Sequence, residues 1–277
     1  MPKRYYLETS VIRSRLIGLD VVRKPLVEKL RNQTILTSNF VKMEFNRGLI
    51  CDVIEFYVAL KDRNSIRDAV RWWSEEYKIR KHKNLQYIFA DVFVDIQGDD
   101  VQQGLFKLRE KIKVLLNNFN FLIQRFEKNG TACYFSNVLL DFELNKSPEE
   151  IENALIEFYQ EFQNNHVKEC QIIELFGQSR AQLGKLIASN SVQDGFEQQK
   201  DNLKKIEAGK LSFSCSTCGK IGDTVIALEC PDYAILLSHD EAFENLCKNL
   251  GLKFEIIPSV RAALPAKNVL AKLKKKR

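Results

Sequence analysis

Four acidic side chains sit where the local pattern could put them to chemical use: Glu8, Glu44, Asp223 and Asp240. Glu8 closes the β-prone run Arg4-Tyr5-Tyr6-Leu7, and Glu44 lies in a helical pattern that follows a second such run. Asp223 comes directly after Gly222 and is expected in the first turn of a helix, where the helix dipole favours a negative charge. Asp240 follows the continuous apolar run Ala234 to Leu237, at the carboxyl end of a strand covered on both faces, and open α/β sheets bind their ligands at that edge. Each acid has an ordinary alternative role: a solvated helix residue, a helix-stabilising charge or a strand end facing water. Clustered, they would repel and raise one another's pKa, and a divalent cation is the usual compensation. Oxygen-only ligation with bound water suits Mg²⁺ or Mn²⁺. One or two such ions activate a water and stabilise charge on a phosphoryl group, so the matching reaction is phosphodiester hydrolysis.

The elements that must position these acids can be read on either side of them. The first fifty residues alternate strand and helix: Arg4 to Glu8, a segment from Val11 to Leu30 with Thr9-Ser10 as its cap and Gly18 and Pro25 as kinks or breaks, then Thr34 to Thr37, then a helix capped by Ser38-Asn39. The last sixty continue the alternation with the helix after Gly222, the strand Ala234 to Leu237, the helix Glu241 to Leu250 and the strand Phe254 to Ile257 before Pro258. This predicts an α/β fold with a central parallel sheet of four or five strands and helices on both sides. From residue 52 to 210 the strand patterns give way to helical ones, at Val101 to Glu127, Pro148 to Phe162, Glu169 to Ile187 and Gln193 to Ala208. The expected organisation is residues 1–51 and 211–277 as one α/β unit, interrupted by an all-helical insertion over 52–210, because neither flank alone could bury a parallel sheet.

These pieces resemble the PIN domain nucleases. The resemblance rests on Tyr6-Leu7-Glu8-Thr9-Ser10, on Glu44, on Gly222-Asp223-Thr224-Val225-Ile226-Ala227-Leu228, and on Leu236-Leu237-Ser238-His239-Asp240-Glu241-Ala242-Phe243. It covers both ends of the chain and none of the helical block. No single piece is specific, but four occur in the expected order. The resemblance implies a ribonuclease preferring single strands, with single-stranded DNA second, whose Mg²⁺ or Mn²⁺ site is built by Glu8, Glu44, Asp223 and Asp240. It also implies that Ser10 and Ser238 orient the carboxylates or the water. The first acidic position of the family is more often Asp; here it is Glu8. Relatives include toxins held by an antitoxin, RNA-processing enzymes and phage-defence proteins. A reading of another class is a catalytically silent PIN fold that binds or assembles through the helical insertion. A protein partner on the insertion and homo-oligomerisation both stay open.

Composition sets outer bounds. With 277 residues, 45% of them hydrophobic, the chain can bury a sizeable core, and a net charge of +6 tolerates nucleic acid without demanding it. Much of the excess is in the tail, where Lys272, Lys274, Lys275, Lys276 and Arg277 have no acidic neighbours. No charged-then-apolar leader and no run of eighteen apolar residues is present, so the expectation is a cytoplasmic protein that does not span a membrane. Seven cysteines, an odd number, are expected as reduced thiols. Cys215-Ser216-Thr217-Cys218 has the spacing of half a zinc site, with no second pair to complete it. His239, beside Asp240, could approach a phosphate, although such a residue is more commonly just exposed. Between Arg63 and Lys83 bases alternate with Trp72, Trp73 and Tyr77. Such a stretch can bind single strands; packing is the favoured reading, since adjacent tryptophans on a helix point in different directions.

Overall fold

Tyr5, Tyr6 and Leu7, all nearly inaccessible to solvent, make β1 (Arg4–Leu7) the buried centre of the sheet. In the computed structural model, which describes residues 2–18, 20–76, 83–93, 96, 99–123, 125–127, 147–163, 172–189, 194–208, 210 and 215–257, β1 pairs in parallel with β2 (Thr34–Ser38) on one side and β4 (Ile235–Ser238) on the other. Tyr6 stands opposite Leu36 in one neighbour and Leu236 in the other. β3 (Arg125–Glu127) extends the sheet beyond β2 and β5 (Lys253–Ile256) beyond β4, both in parallel. The order β3-β2-β1-β4-β5 reverses direction at β1. A ligand crevice is therefore expected between the carboxyl ends of β1 and β4.

Helices flank the sheet. α1 (Thr9–Ile17) and α2 (Asp20–Leu30) connect β1 to β2; α3 (Asn39–Phe45) runs through a π-helical turn (Asn46–Ile50) into α4 (Cys51–Lys61). α5 (Ile66–Glu76), α6 (Lys83–Val92) and α7 (Val101–Leu122) precede β3. α8 (Pro148–Gln163), α9 (Ile172–Gln178), α10 (Arg180–Ala188) and α11 (Asp194–Glu207) follow it, then α12 (Cys215–Glu229) and α13 (Ala242–Leu250). The start of α8 is a reciprocal cap: Glu150 N–H donates to Ser147 Oγ at 3.2 Å and Ser147 N–H to Glu150 Oε2 at 2.6 Å, with Pro148 at the first helical position.

The α/β alternation and the parallel sheet follow the sequence pattern, but several details do not. The segment 52–210 is not all-helical, since it supplies strand β3. The helix expected to run from Val101 to Glu127 ends at Leu122, and its last three expected residues pair with β2 instead. Nor do the described residues of this segment form a separate core. Leu108, Leu115 and Phe119 of α7, Leu155 and Phe158 of α8 and Leu203 of α11 belong to the same buried cluster as Tyr6, Leu36 and Leu237, and Phe119 lies 4.8 Å from Phe45 of α3, ring centre to ring centre. Gly18 divides α1 from α2 as expected, but Pro25 stays inside α2.

The aromatic-basic stretch resolves into packing where it is described. Trp73 is buried edge-on against Phe89, and the Arg63 guanidinium lies over the Trp72 ring. Tyr77, Lys78, Arg80 and Lys81 lie outside the described residues, as does the basic tail. Cys51, Cys230 and Cys247 are buried and belong to no disulfide. Cys215 and Cys218 fall in the first turn of α12, with their side chains outside the described set, so the half zinc site is not described. No helix among the described residues is long and apolar enough to cross a membrane.

Candidate active site

All four carboxylates line one cavity of about 450 Å³ at the carboxyl edge of the sheet, together with Thr9, Ser10, Arg13, Phe40, Met43, Arg47, Gly48, Gly219 and Phe243. Each arrives from a different element. Glu8 is the residue at which β1 becomes α1, and it caps that helix itself, a role expected of Thr9-Ser10: Oε2 accepts from Ser10 N–H at 2.6 Å. Its Oε1 accepts from the Ser10 hydroxyl, from Ser238 Oγ at 3.2 Å and from His239 N–H at 3.4 Å. That set of donors holds a carboxylate that is only 4% exposed. It also ties β1 to β4 across the reversal in strand order.

Glu44 projects from α3, and Thr9 donates its hydroxyl to Glu44 Oε2 at 2.5 Å. Burial pushes the Glu44 carboxyl up to about 7, and the nearby charges of Asp223 and Glu8 push the same way; the Thr9 hydroxyl and the charge of Arg13 oppose them. Asp223 is raised to about 6, first by burial and then by the charges of Asp240 and Glu8, against the hydrogen bond from Gln199. The acids thus feel one another's charge across the cavity. Asp240 is the exposed member: it follows β4, and its Oδ1 accepts from Ala242 N–H at 2.9 Å to open α13. Its own N–H donates to Ser238 Oγ at 2.9 Å.

Asp223 is not where the sequence pattern puts it. α12 begins at Cys215, so Asp223 lies two turns inside the helix and gains nothing from its N-terminus. Gly222 does not break a turn. It permits close approach: a Cβ there would lie 2.7 Å from Glu44 Oε1 and 3.5 Å from the Phe40 ring. The glycine brings α12 against α3, which sets Asp223 beside Glu44. Ser10 lines the cavity, whereas Ser238, fully buried, supports Glu8 and Asp240 from behind. His239 is not among the lining residues: its ring Nδ1 lies 3.0 Å from the Ile257 carbonyl oxygen, and only its backbone N–H reaches Glu8.

Two residues escape the sequence pattern. Gln199, buried on α11, donates through Nε2 to Asp223 Oδ2 at 2.8 Å while its Oε1 accepts from Thr224 Oγ1 at 2.8 Å. A helix of the 52–210 segment therefore orients one of the acids. Nothing in the Gln198-Gln199 pair on a polar helix marks it beforehand. Arg13, on α1, points the other way electrically, placing a guanidinium, like that of Arg47, among the four acids.

The donor chemistry fits a hard divalent cation: oxygen ligands alone, two of them held above their ordinary pKa by burial and then by the charge of neighbouring carboxylates. The arrangement is not closed around an ion. Among the described residues, no group of three or more His, Cys, Asp and Glu side chains is set to hold a metal as it stands. Compared with known proteins, the chain matches no family model, no curated protein and no solved structure.

Proposed function

We propose that this chain is a metal-dependent nuclease of the PIN type, hydrolysing phosphodiester bonds in single-stranded RNA, with single-stranded DNA as the second substrate. One observation carries the reading: four carboxylates from four elements line one cavity at the point where the strand order reverses. Glu8, Asp223 and Asp240 would hold Mg²⁺ or Mn²⁺, with Glu44 as the fourth ligand. The bound ion would supply an activated water and a counter-charge for the phosphoryl group under in-line attack. The chain's own residues do the positioning. Ser10 and Ser238 fix the Glu8 carboxylate, Thr9 that of Glu44 and Gln199 that of Asp223. Phe40, Met43 and Phe243 form an apolar part of the wall, which lowers the local dielectric and strengthens each of these interactions.

A second reading, a silent PIN fold serving as a binding or assembly module, is favoured by one specific observation: Glu8, Glu44 and Asp223 already accept protein hydrogen bonds. Incubation of the protein with end-labelled single-stranded RNA and Mn²⁺ separates the two. The nuclease reading expects cleavage that EDTA stops and that Asp223→Asn lowers by at least a hundredfold. No cleavage of RNA or single-stranded DNA by the folded wild-type chain in Mn²⁺ would leave the silent module standing.

A further inference from the structure

An acidic cavity repels a polyanion, so a nuclease built on one needs a cation of its own to admit the substrate. Two guanidiniums share this cavity with the carboxylates, Arg13 from α1 and Arg47 from the π-helical turn. The placement of Arg13 depends on a gap in that turn. A Cβ at residue 48 would sit 2.3 Å from Arg13 Nη2, so Gly48 leaves room for the guanidinium in this position, and a side chain there would push its free end aside. π-helical turns shift the register of a helix locally and recur at functional sites, and this one carries both Gly48 and Arg47.

In this position Arg13 is under-used. Its Nη2 donates to the Glu44 backbone carbonyl at a long 3.3 Å, and its Nε is buried without a hydrogen-bond partner among the described residues. A guanidinium offers five donors in a fixed planar fork, and a buried donor left unpaired is costly. Although four carboxylates share the cavity, Arg13 forms no ion pair with any of them among the described residues. Arg13 lines the cavity and its Nη1 has no hydrogen-bond partner among the described residues, which leaves that end of the guanidinium for an anion, and phosphate is the tetrahedral oxyanion that guanidiniums favour.

We infer that Arg13, which has room beside Gly48, binds the non-bridging oxygens of the substrate phosphodiester in this cavity. This inference rests on the nuclease reading above and assigns the residue that admits its substrate. The competing role is that of a counter-charge for Glu44, which needs no substrate at all.

Binding of a fluorescein-labelled single-stranded RNA in Ca²⁺, measured across about 50 to about 200 mM salt, distinguishes the two roles. Arg13→Gln is expected to weaken binding about tenfold at low salt. It should also flatten the dependence of log K on log salt by about 0.7, the value for one phosphate contact on a single strand. Arg13→Lys should keep the slope and bind several-fold more weakly than wild type, because a point charge replaces the fork. Arg31→Gln, on the exposed surface, should change neither quantity. Wild-type affinity and slope in Arg13→Gln overturn the inference, whatever happens to Mn²⁺ affinity, and reduce Arg13 to a counter-charge. Should Arg13→Gln not fold, unchanged affinity in Arg13→Lys overturns it equally. A wild-type chain that cleaves RNA while Arg13→Gln binds normally removes Arg13 alone. A wild-type chain that neither binds nor cleaves nucleic acid removes the nuclease reading, and Arg13's role with it.

Discussion

Ser238 donates its hydroxyl to Glu8 Oε1 at 3.2 Å across 230 residues of sequence, while the same oxygen accepts from Asp240 N–H at 2.9 Å. One buried hydroxyl thus joins the first of the four cavity acids to the last. Removing it leaves a buried carboxylate with one donor fewer and an amide without its acceptor, at a cost of about 1–3 kcal/mol. Ser238→Ala should therefore lower the melting temperature by several degrees and reduce Mn²⁺-dependent RNA cleavage by more than tenfold. Calorimetry and the cleavage assay check the two effects together. An unchanged cleavage rate would show that the Glu8–Asp240 link is structural only.

Gln199 makes a sharper test, because it lies on α11 and touches Asp223 and Thr224 without lining the cavity. Gln199→Ala should weaken Mn²⁺ binding about tenfold and leave the affinity for RNA in EDTA unchanged. A second comparison uses Thr224→Val. If the amide acts as a clamp fixed at both ends, the double variant should lose no more Mn²⁺ affinity than Gln199→Ala alone, since contacting residues of one network are not additive. Full additivity would contradict the clamp.

The raised acids set a pH dependence. Glu44 titrates near 7 and Asp223 near 6 in the folded chain, above the ordinary values of 4.5 and 3.8. A carboxyl whose folded pKa is raised binds its proton more tightly folded than unfolded. Its stabilising contribution is present below pH about 4 and is lost as pH rises through about 6 and 7. Between them the two sites should remove on the order of a few kcal/mol over that window. In EDTA, the difference in melting temperature between Glu44→Gln and wild type should grow in favour of the variant from pH 5 to pH 7.5. Mn²⁺ should reverse this in wild type at pH 7.5, releasing protons as it binds. A difference that stays flat with pH would contradict the assignment of Glu44.

Gly222→Ala separates helix stability from site geometry. Alanine favours a helix interior over glycine by about 0.5–1 kcal/mol. Its Cβ would, however, sit 2.7 Å from Glu44 Oε1, the free end of a flexible side chain. The carboxylate should swing aside and the helix should hold. The expected outcome is a melting temperature that is unchanged or higher, with Mn²⁺ affinity reduced severalfold. A variant that unfolds instead would mean that Glu44 cannot move.

How far the sequence reaches is visible in particular residues. Glu8 and Asp240 were placed at strand ends because short aromatic and branched runs, Tyr5 to Leu7 and Ile235 to Leu237, mark buried strands bounded by polar residues. β3 was not legible. Three residues are too few to show a period of two, and they follow a helix whose own pattern continues into them. The sequence pattern misplaces the start of α12 because Gly222 reads as a break, whereas its packing against Glu44 and Phe40 outweighs glycine's poor helix propensity. Gln199 and Arg13 carry no local signal at all; only the tertiary fold gives them their partners.

The central claim is that Glu8, Glu44, Asp223 and Asp240 make one site for a divalent ion. A crystal grown at neutral pH, soaked in Mn²⁺ and measured at the manganese absorption edge tests it most directly. The account predicts an anomalous peak with at least three of these carboxylates at about 2.1–2.3 Å, the range for a hard divalent ion on oxygen, and with Asp223 and Asp240 drawn inward. A fully occupied crystal showing manganese only elsewhere on the chain, with these four side chains unmoved, would contradict it.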